Sequence, residues 1–261
     1  MLNTKEIKPL VTSRRHGLKA VLGMKTDDSG KYLFAISLKA RFIPTQDMAD
    51  SSWSATIFKF NAADGALLQA YPATDSVLFN DLVITEDNTI YVTDTFSGSL
   101  YRIDDKKNSL EEFLPAGTFD FPNGITSFKN ILFVATEKGI SRLNTTNKQV
   151  DTLETAPGVF VGAIDGLYFY KNSLIGIQNG VEPRQIIRIY LDEPGSRATR
   201  IDTLERVDKA RRYFSPTTGT IVGKEFYYIA NAQVRSFDKD GKIVAYSALE
   251  PVVIRRIKLK D

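Results

Sequence analysis

One pattern recurs five times along this chain: a small or polar pair, a short apolar run, a tight turn, and a second run rich in Tyr, Phe, Ile and Val. The copies are VLGMKTDDSGKYLFAIS (21–37), FNDLVITEDNTIYVTDT (79–95), PNGITSFKNILFVATE (122–137), IDGLYFYKNSLIGIQN (164–179) and TTGTIVGKEFYYIAN (217–231). In most copies a third run follows, as in SLYRIDD (99–105), GISRLNT (139–145), QIIRIYLD (185–192) and QVRSFDK (233–239), and often a fourth, as in QVDTLET (149–155). Short runs of alternating polarity, joined by turn residues with no long helical period, specify an all-β protein. A four-stranded unit recurring at 42 to 58 residues specifies propeller blades arranged radially about an axis. The expectation is a six-bladed β-propeller filling a single domain over 1–261. It has five complete blades, and the single strands 5–12 and 252–259 share an incomplete sixth.

In a propeller the first strand of each blade lines the central channel, so equivalent positions at its head converge on the axis. Reading that column gives Leu22, Asn80, Asn123, Asp165 and Thr218, spaced by 58, 43, 42 and 53 residues. Three successive blades thus offer amide or carboxylate oxygens to one point. Oxygen ligands without sulfur or imidazole suit a hard cation, and Ca²⁺, which takes six to eight of them with water, is the natural candidate, other divalent cations being possible. Asn-Gly and Asp-Gly also make turns, and a single copy would be read that way. Three in register favour a site.

Composition removes most other chemistries. The chain has no cysteine, which excludes thiolate nucleophiles and Cys-based zinc sites, and one histidine, His16, too few for a histidine zinc cluster. No G-x-S-x-G elbow, Walker loop or dinucleotide fingerprint is present. The net charge of +3 is spread over Arg pairs at 14–15, 211–212 and 255–256 with acidic residues among them, a solvated surface rather than a nucleic-acid track. The longest nearly apolar stretch, 158–164, is too short for a membrane span. No signal peptide is visible in the chain as given, so the expectation is a soluble protein, cytoplasmic or periplasmic.

The segments LFNDLVITEDNTIYVTDTFSGSLYRID, FPNGI, IDGLYF and IQNGVEPRQIIRIYLD together resemble the senescence marker protein/gluconolactonase-like family. These are six-bladed, calcium-dependent propellers that hydrolyse lactones and, in related members, phosphotriesters. The resemblance runs from about Val21 to Leu259 and is strongest between Leu78 and Asp192. It implies that Asn123 and Asp165 are metal ligands, that Asn80 binds metal or orients substrate, and that Asp165 acts as general base. The family also supplies a Glu, usually followed by Gly, at the head of an N-terminal inner strand. Nothing before Leu22 has that form, and Glu6 falls in what reads as an outer strand. The expectation that follows is an N-terminal extension upstream of Met1. Further candidates are Gln178 as a substrate contact, Asp94 as a partner of the channel Asn or as a turn residue, and Trp53 as a lid or a packed loop anchor. The sequence thus points to a calcium-dependent lactonase or esterase acting on a small molecule, with a non-catalytic propeller scaffold as the alternative.

Overall fold

The structure is a computed structural model that describes residues 8–12, 15–39, 53–104, 107–193, 195–207, 215–233, 236, 247 and 249–260. Apart from a three-residue 3₁₀ turn at Arg15–Gly17, its regular elements are strands. The first sheet holds Ala20–Thr26, Tyr32–Lys39, Ser54–Asn61 and Leu67–Pro72, in chain order from the inside outward. The second holds Phe79–Ile84, Ile90–Asp94, Ser99–Asp104 and Ser109–Leu114, and the third Ile125–Phe128, Ile131–Ala135, Ile140–Asn144 and Val150–Thr152. The fourth holds Ile164–Phe169, Ser173–Gln178, Arg184–Leu191 and Arg197–Val207, with Glu154–Thr155 added in parallel on its outer edge. The fifth has Gly219–Val222, Glu225–Ile229 and Ile254–Lys258.

The propeller arrangement read from the repeat is what the structure shows, with one incomplete sheet that takes in the C-terminal strand. Inner strands are joined to their neighbours by tight turns at Lys129-Asn130, Lys171-Asn172 and Gly223-Lys224, where the first residue has a φ of 53°, 50° and 62° respectively. A left-handed residue at this place lets a two-residue turn follow the twist of the strands. Second strands are sandwiched between neighbouring sheets, so Ile90–Asp94 and Ser173–Gln178 are buried along their whole length. That burial on both faces is why these runs read as continuous apolar segments.

Each sheet packs its face on the next. Ile36, Leu38, Ile57, Phe79 and Leu82 fill the first junction, Leu100, Ile125 and Leu132 the second, Phe133, Leu167 and Leu174 the third, and Ile175, Ile177, Phe226 and Tyr228 the fourth. The remaining face of the first sheet is covered by the segment that precedes it. Leu18 packs on Ala35, Phe58 and Phe60 with Val11 beside them, and the Lys19 backbone N–H donates to Ser37 Oγ at 2.8 Å. Gly65 must be glycine there, because with φ of 71° a Cβ would strike the Leu10 carbonyl. Residues 8–12 carry no strand, and residues 5–7 of the strand expected at 5–12 lie outside the described residues.

The C-terminal strand has a different neighbour from the one expected. Ile254–Lys258 pairs antiparallel with Glu225–Ile229, in the place where QVRSFDK was expected to follow, most of which lies outside the described residues. Asn231 fixes this arrangement. Its Oδ1 accepts from the Val253 N–H at 2.7 Å and its Nδ2 donates to the Pro251 carbonyl at 3.0 Å. Leu259, 1% exposed, then anchors the strand end in the fourth junction.

Candidate metal and substrate site at the head of the channel

Three of the inner strands lose register at the same place. Pairing with the second strand shifts between Val21 and Met24, between Phe79 and Leu82, and between Ile164 and Leu167. A bulge inserts an unpaired residue and re-aims the side chains around it. Here the bulges fall on Leu22-Gly23, Asn80-Asp81 and Asp165-Gly166, and they turn the strand heads toward the axis. In the third sheet the corresponding Asn123-Gly124 precedes the strand, and the Gly124 N–H donates to the Asp165 carbonyl at 2.8 Å. A bulge takes Asn80 and Asp165 out of the ladder and into the channel, and Asn123 reaches it from just before its strand.

The structure brings Asn80, Asn123, Asp165 and Thr218 of the expected column to the wall of one cavity of about 400 Å³. Leu22 is there too and leans on the first core junction. Asn80 donates its amide N–H to Thr95 Oγ1 at 3.0 Å, which leaves its carbonyl oxygen to the cavity. Thr95 in turn donates to the Pro122 carbonyl at 2.7 Å, and Thr93 Oγ1 to the Asn123 carbonyl at 2.8 Å, so two threonines of the second sheet staple the third sheet's strand head. The Asp165 carboxylate accepts from Asn179 Nδ2 at 2.6 Å and from Thr217 Oγ1 at 2.8 Å, both on Oδ2. Burial pushes the Asp165 carboxyl above its ordinary range and the nearby Asp81 adds to that, while the Thr217, Asn179 and Asn123 hydrogen bonds act the other way.

Asp81 is the residue that the column reading missed. It lines the same cavity, is 7% exposed, and accepts from the Leu82 N–H at 2.9 Å. Burial raises its pKa, opposed by the Lys25 ammonium and by the Leu82 and Ile125 amides. The signal was one position along: the residues after the column are Gly23, Asp81, Gly124, Gly166 and Gly219. Four glycines allow backbones to close on one another, and a Cβ on Gly23 would lie 3.0 Å from Asp81 Oδ1. The one side chain in that ring projects into the space the glycines leave.

Other expectations fall differently. Gln178 is 1% exposed and its amide is spent on the Gly162 carbonyl at 2.9 Å and on Gln185 at 2.8 Å, so it braces a loop and does not reach the cavity. Its neighbour Asn179, expected as a turn residue, holds Asp165 instead. Asp94 is fully buried and accepts from the Leu78 and Phe96 N–H groups and from Ser97, which makes it a turn organiser and not a partner of Asn80. Trp53 packs on the first junction, its ring 5.3 Å from that of Phe96 and tilted 42° to it, as a loop anchor would. His16 lies 6.1 Å from Phe60 on the far face of the first sheet.

Among the described residues no three His, Asp or Glu side chains gather in a metal-binding group. The donors available are two amide oxygens and two carboxylates, of Asn80, Asn123, Asp81 and Asp165, on one cavity. Their chemistry fits a hard cation, since all four offer oxygen and both carboxylates are buried, with the Lys25 ammonium acting on Asp81.

No protein-family model and no curated protein matches this chain. Solved structures similar in fold include the nidogen/laminin complex, at 16% identity and a TM-score of 0.57, covering 81% of this chain and 72% of that one. Virginiamycin B lyase from Staphylococcus aureus is similar at 19% identity and a TM-score of 0.53, covering 92% and 70%, and a streptogramin B lyase at 14% and 0.51, covering 93% and 70%. At these identities the likeness shows the propeller fold alone. The resemblance to the gluconolactonase-like family finds no support in these comparisons and rests on the sequence motifs alone.

Proposed function

We propose that this protein is a metal-dependent hydrolase of the lactonase or esterase type, with Ca²⁺ held at the channel head by Asn80, Asn123 and Asp165, assisted by Asp81. The observation that carries the reading is the convergence of these four oxygen-bearing side chains, three of them on bulges, at one cavity. A bound divalent cation supplies Lewis-acid polarisation of a lactone or ester carbonyl. The chain's own residues do the rest. Asn179 and Thr217 both donate to Oδ2 of Asp165, and a hydrogen bond with Asn123 adds to these, which together fix the carboxylate at the cavity wall. A carboxylate raised by burial is a stronger base than one in water, and Asp165 is the group placed to take the water's proton. The water oxygen bonds to the acyl carbon, the C–O bond to the alkoxy group breaks, and the proton passes to the departing oxygen. Gly124 lets the third and fourth strand heads approach closely enough for Asn123 and Asp165 to act together, and Gly166 lets the fourth close on the Thr217 carbonyl.

A second reading, a binding propeller without catalysis, is favoured by Leu22, which puts an apolar side chain at one position of the channel column. Lyase chemistry of the streptogramin type has less support. A virginiamycin B lyase is inactivated by a His→Ala substitution, and the single histidine of this chain sits outside the channel. The deciding experiment is calorimetric titration of Ca²⁺ into chelator-treated protein, beside Asp165→Ala, followed by a lactone screen. Saturable binding lost in the variant, with turnover, supports the hydrolase; a folded protein that binds no cation and turns over no lactone leaves the scaffold.

A further inference from the structure

Below the oxygen cluster the channel holds one positive charge. Lys25 belongs to the first inner strand, where its backbone pairs with Phe34, and its ammonium reaches the fourth sheet, 4.5 Å from the centre of the Tyr168 ring. The inner strands of the second and third sheets lie between these two around the ring, so the contact crosses the channel. An ammonium over an aromatic face is attracted by the ring's quadrupole, more strongly as water is removed. The ring is 5% exposed and held in place, because Tyr168 Oη accepts from the Gly219 N–H at 2.6 Å and lies 3.3 Å from Thr218 Oγ1.

Tyr168 is a floor between two cavities. Above it, Gly166 and Thr218 line the cavity of the oxygen cluster, and a Cβ on Gly166 would lie 2.7 Å from the Tyr168 hydroxyl. Below it, Tyr168 and Lys25 line a cavity of about 350 Å³ with Val83, Ile125, Thr126 and Thr220, to which Asp28 and Glu86 contribute from exposed turns. Among the described residues Lys25 is the only basic side chain on the wall of either cavity. The upper cavity carries two carboxylates that raise each other's cost, and like charges held out of water need a counter-charge nearby. Burial pushes the Asp81 carboxyl up, and the Lys25 ammonium leads the influences that oppose it.

We propose that Lys25 is a resident counter-cation of the channel, held against the Tyr168 ring so that the metal-free cluster is tolerated and its pull on an incoming divalent cation is moderated. The second half rests on the cation-site reading of the cluster, whereas the charge pairing of Lys25 with Asp81 holds whether or not a metal binds. Lys25 stays out of the ligand set, because an ammonium has three donors and no acceptor. It acts through its field, which a divalent ion feels twice as strongly as a monovalent one. Affinity of an oxygen site for Ca²⁺ rises with the negative charge of its ligands, so removing the Lys25 charge raises it. Loss of a residue that merely packed the channel would loosen the ligands and lower the affinity. The sign of the change separates the two roles.

The test has two arms, neither of which needs turnover. In chelator at about pH 8, double-mutant cycles pair Lys25→Met, and separately Lys25→Gln, with Asp81→Asn in urea unfolding. Lys25 and Asp81 are expected to couple by about tenfold in the folding equilibrium. In the second arm Ca²⁺ is titrated calorimetrically into the chelator-treated wild type and the Lys25 variants. Lys25→Met and Lys25→Gln, which drop the charge, are expected to tighten binding about tenfold or more, and Lys25→Arg, which keeps it, to stay within about threefold of wild type. Lys107→Met, the same charge change on the turn between the two outer strands of the second sheet, is expected to leave the affinity unchanged. Additive stabilities in the cycles overturn the proposal. Unchanged or weaker binding in Lys25→Met and Lys25→Gln, or equal tightening in Lys107→Met, overturns it too. Coupling in the cycles with no Ca²⁺ bound by any of these proteins upholds Lys25 as the counter-charge of Asp81 and removes the metal reading.

Discussion

At the scale of single residues, the site is governed by two buried carboxylates. For Asp81 burial raises the folded-state pKa, so between the ordinary carboxylate value and the raised one the folded protein binds more protons than the unfolded chain. Stability of the metal-free protein therefore falls as pH rises through that window. Asp81→Asn is expected to flatten that fall, read as the urea midpoint against pH in chelator; an unchanged slope would mean that Asp81 is not the titrating group. Asp165→Asn is expected to lower kcat on the best lactone by about 10²- to 10⁴-fold, the range for loss of a general base, with circular dichroism unchanged. Asn80, Asn123 and Asp165 were legible because each repeats in one column. Asp81 was hidden because its column is otherwise glycine, and Asn179 because Asn-Gly reads as a turn; only the fold shows that its amide points at Asp165.

At the scale of elements, glycines and threonines hold the strand heads together. A Cβ on Gly124 would fall on the Asp165 carbonyl and lie 2.6 Å from the Leu167 nitrogen, both backbone atoms that cannot swing aside. Gly124→Ala should cost about 2 kcal/mol or more and weaken cation binding, whereas Gly139→Ala, with open space at its Cβ, should stay within about 0.5 kcal/mol in urea unfolding. Thr95 orients Asn80 and ties it to Pro122. Thr95→Val is expected to reduce Ca²⁺ affinity about 10- to 100-fold, the usual effect of removing a group that orients a ligand, and an unchanged titration would show that Asn80 is not a ligand. Strand existence was readable from alternation and turn residues. The bulges were not, because a bulge is a mismatch between two strands and has no mark in either one alone.

At the scale of the whole molecule, the ring is unequal. Among the described residues the fifth sheet has three strands, so its amides in Gly219–Val222 and Ile254–Lys258 are expected to exchange with solvent faster than those of Leu82, Leu132 and Leu174, each buried in a junction. Uniform protection across all five sheets would show instead that the fifth is held as firmly as the others. Because the ligands proposed for the cation come from the second, third and fourth sheets, binding at that site should stabilise the assembly as a unit: at a hundredfold excess over Kd the gain is about 2.7 kcal/mol, or roughly 5–10 °C in Tm for a chain of this size. The Asp165→Ala variant should show no such shift.

The sequence by itself determined the strands, the repeat and hence the propeller, because period and turn chemistry are local properties that survive without knowledge of the fold. It also marked the column that faces the axis. Tertiary structure alone decided that the C-terminal strand joins the fifth sheet, that Gln178 is a brace, and that Asn179 holds the Asp165 carboxylate. Those outcomes depend on which surfaces meet between separate strands and loops, as Asn231 meets Val253 and Gly124 meets Asp165, and no local pattern records such a meeting.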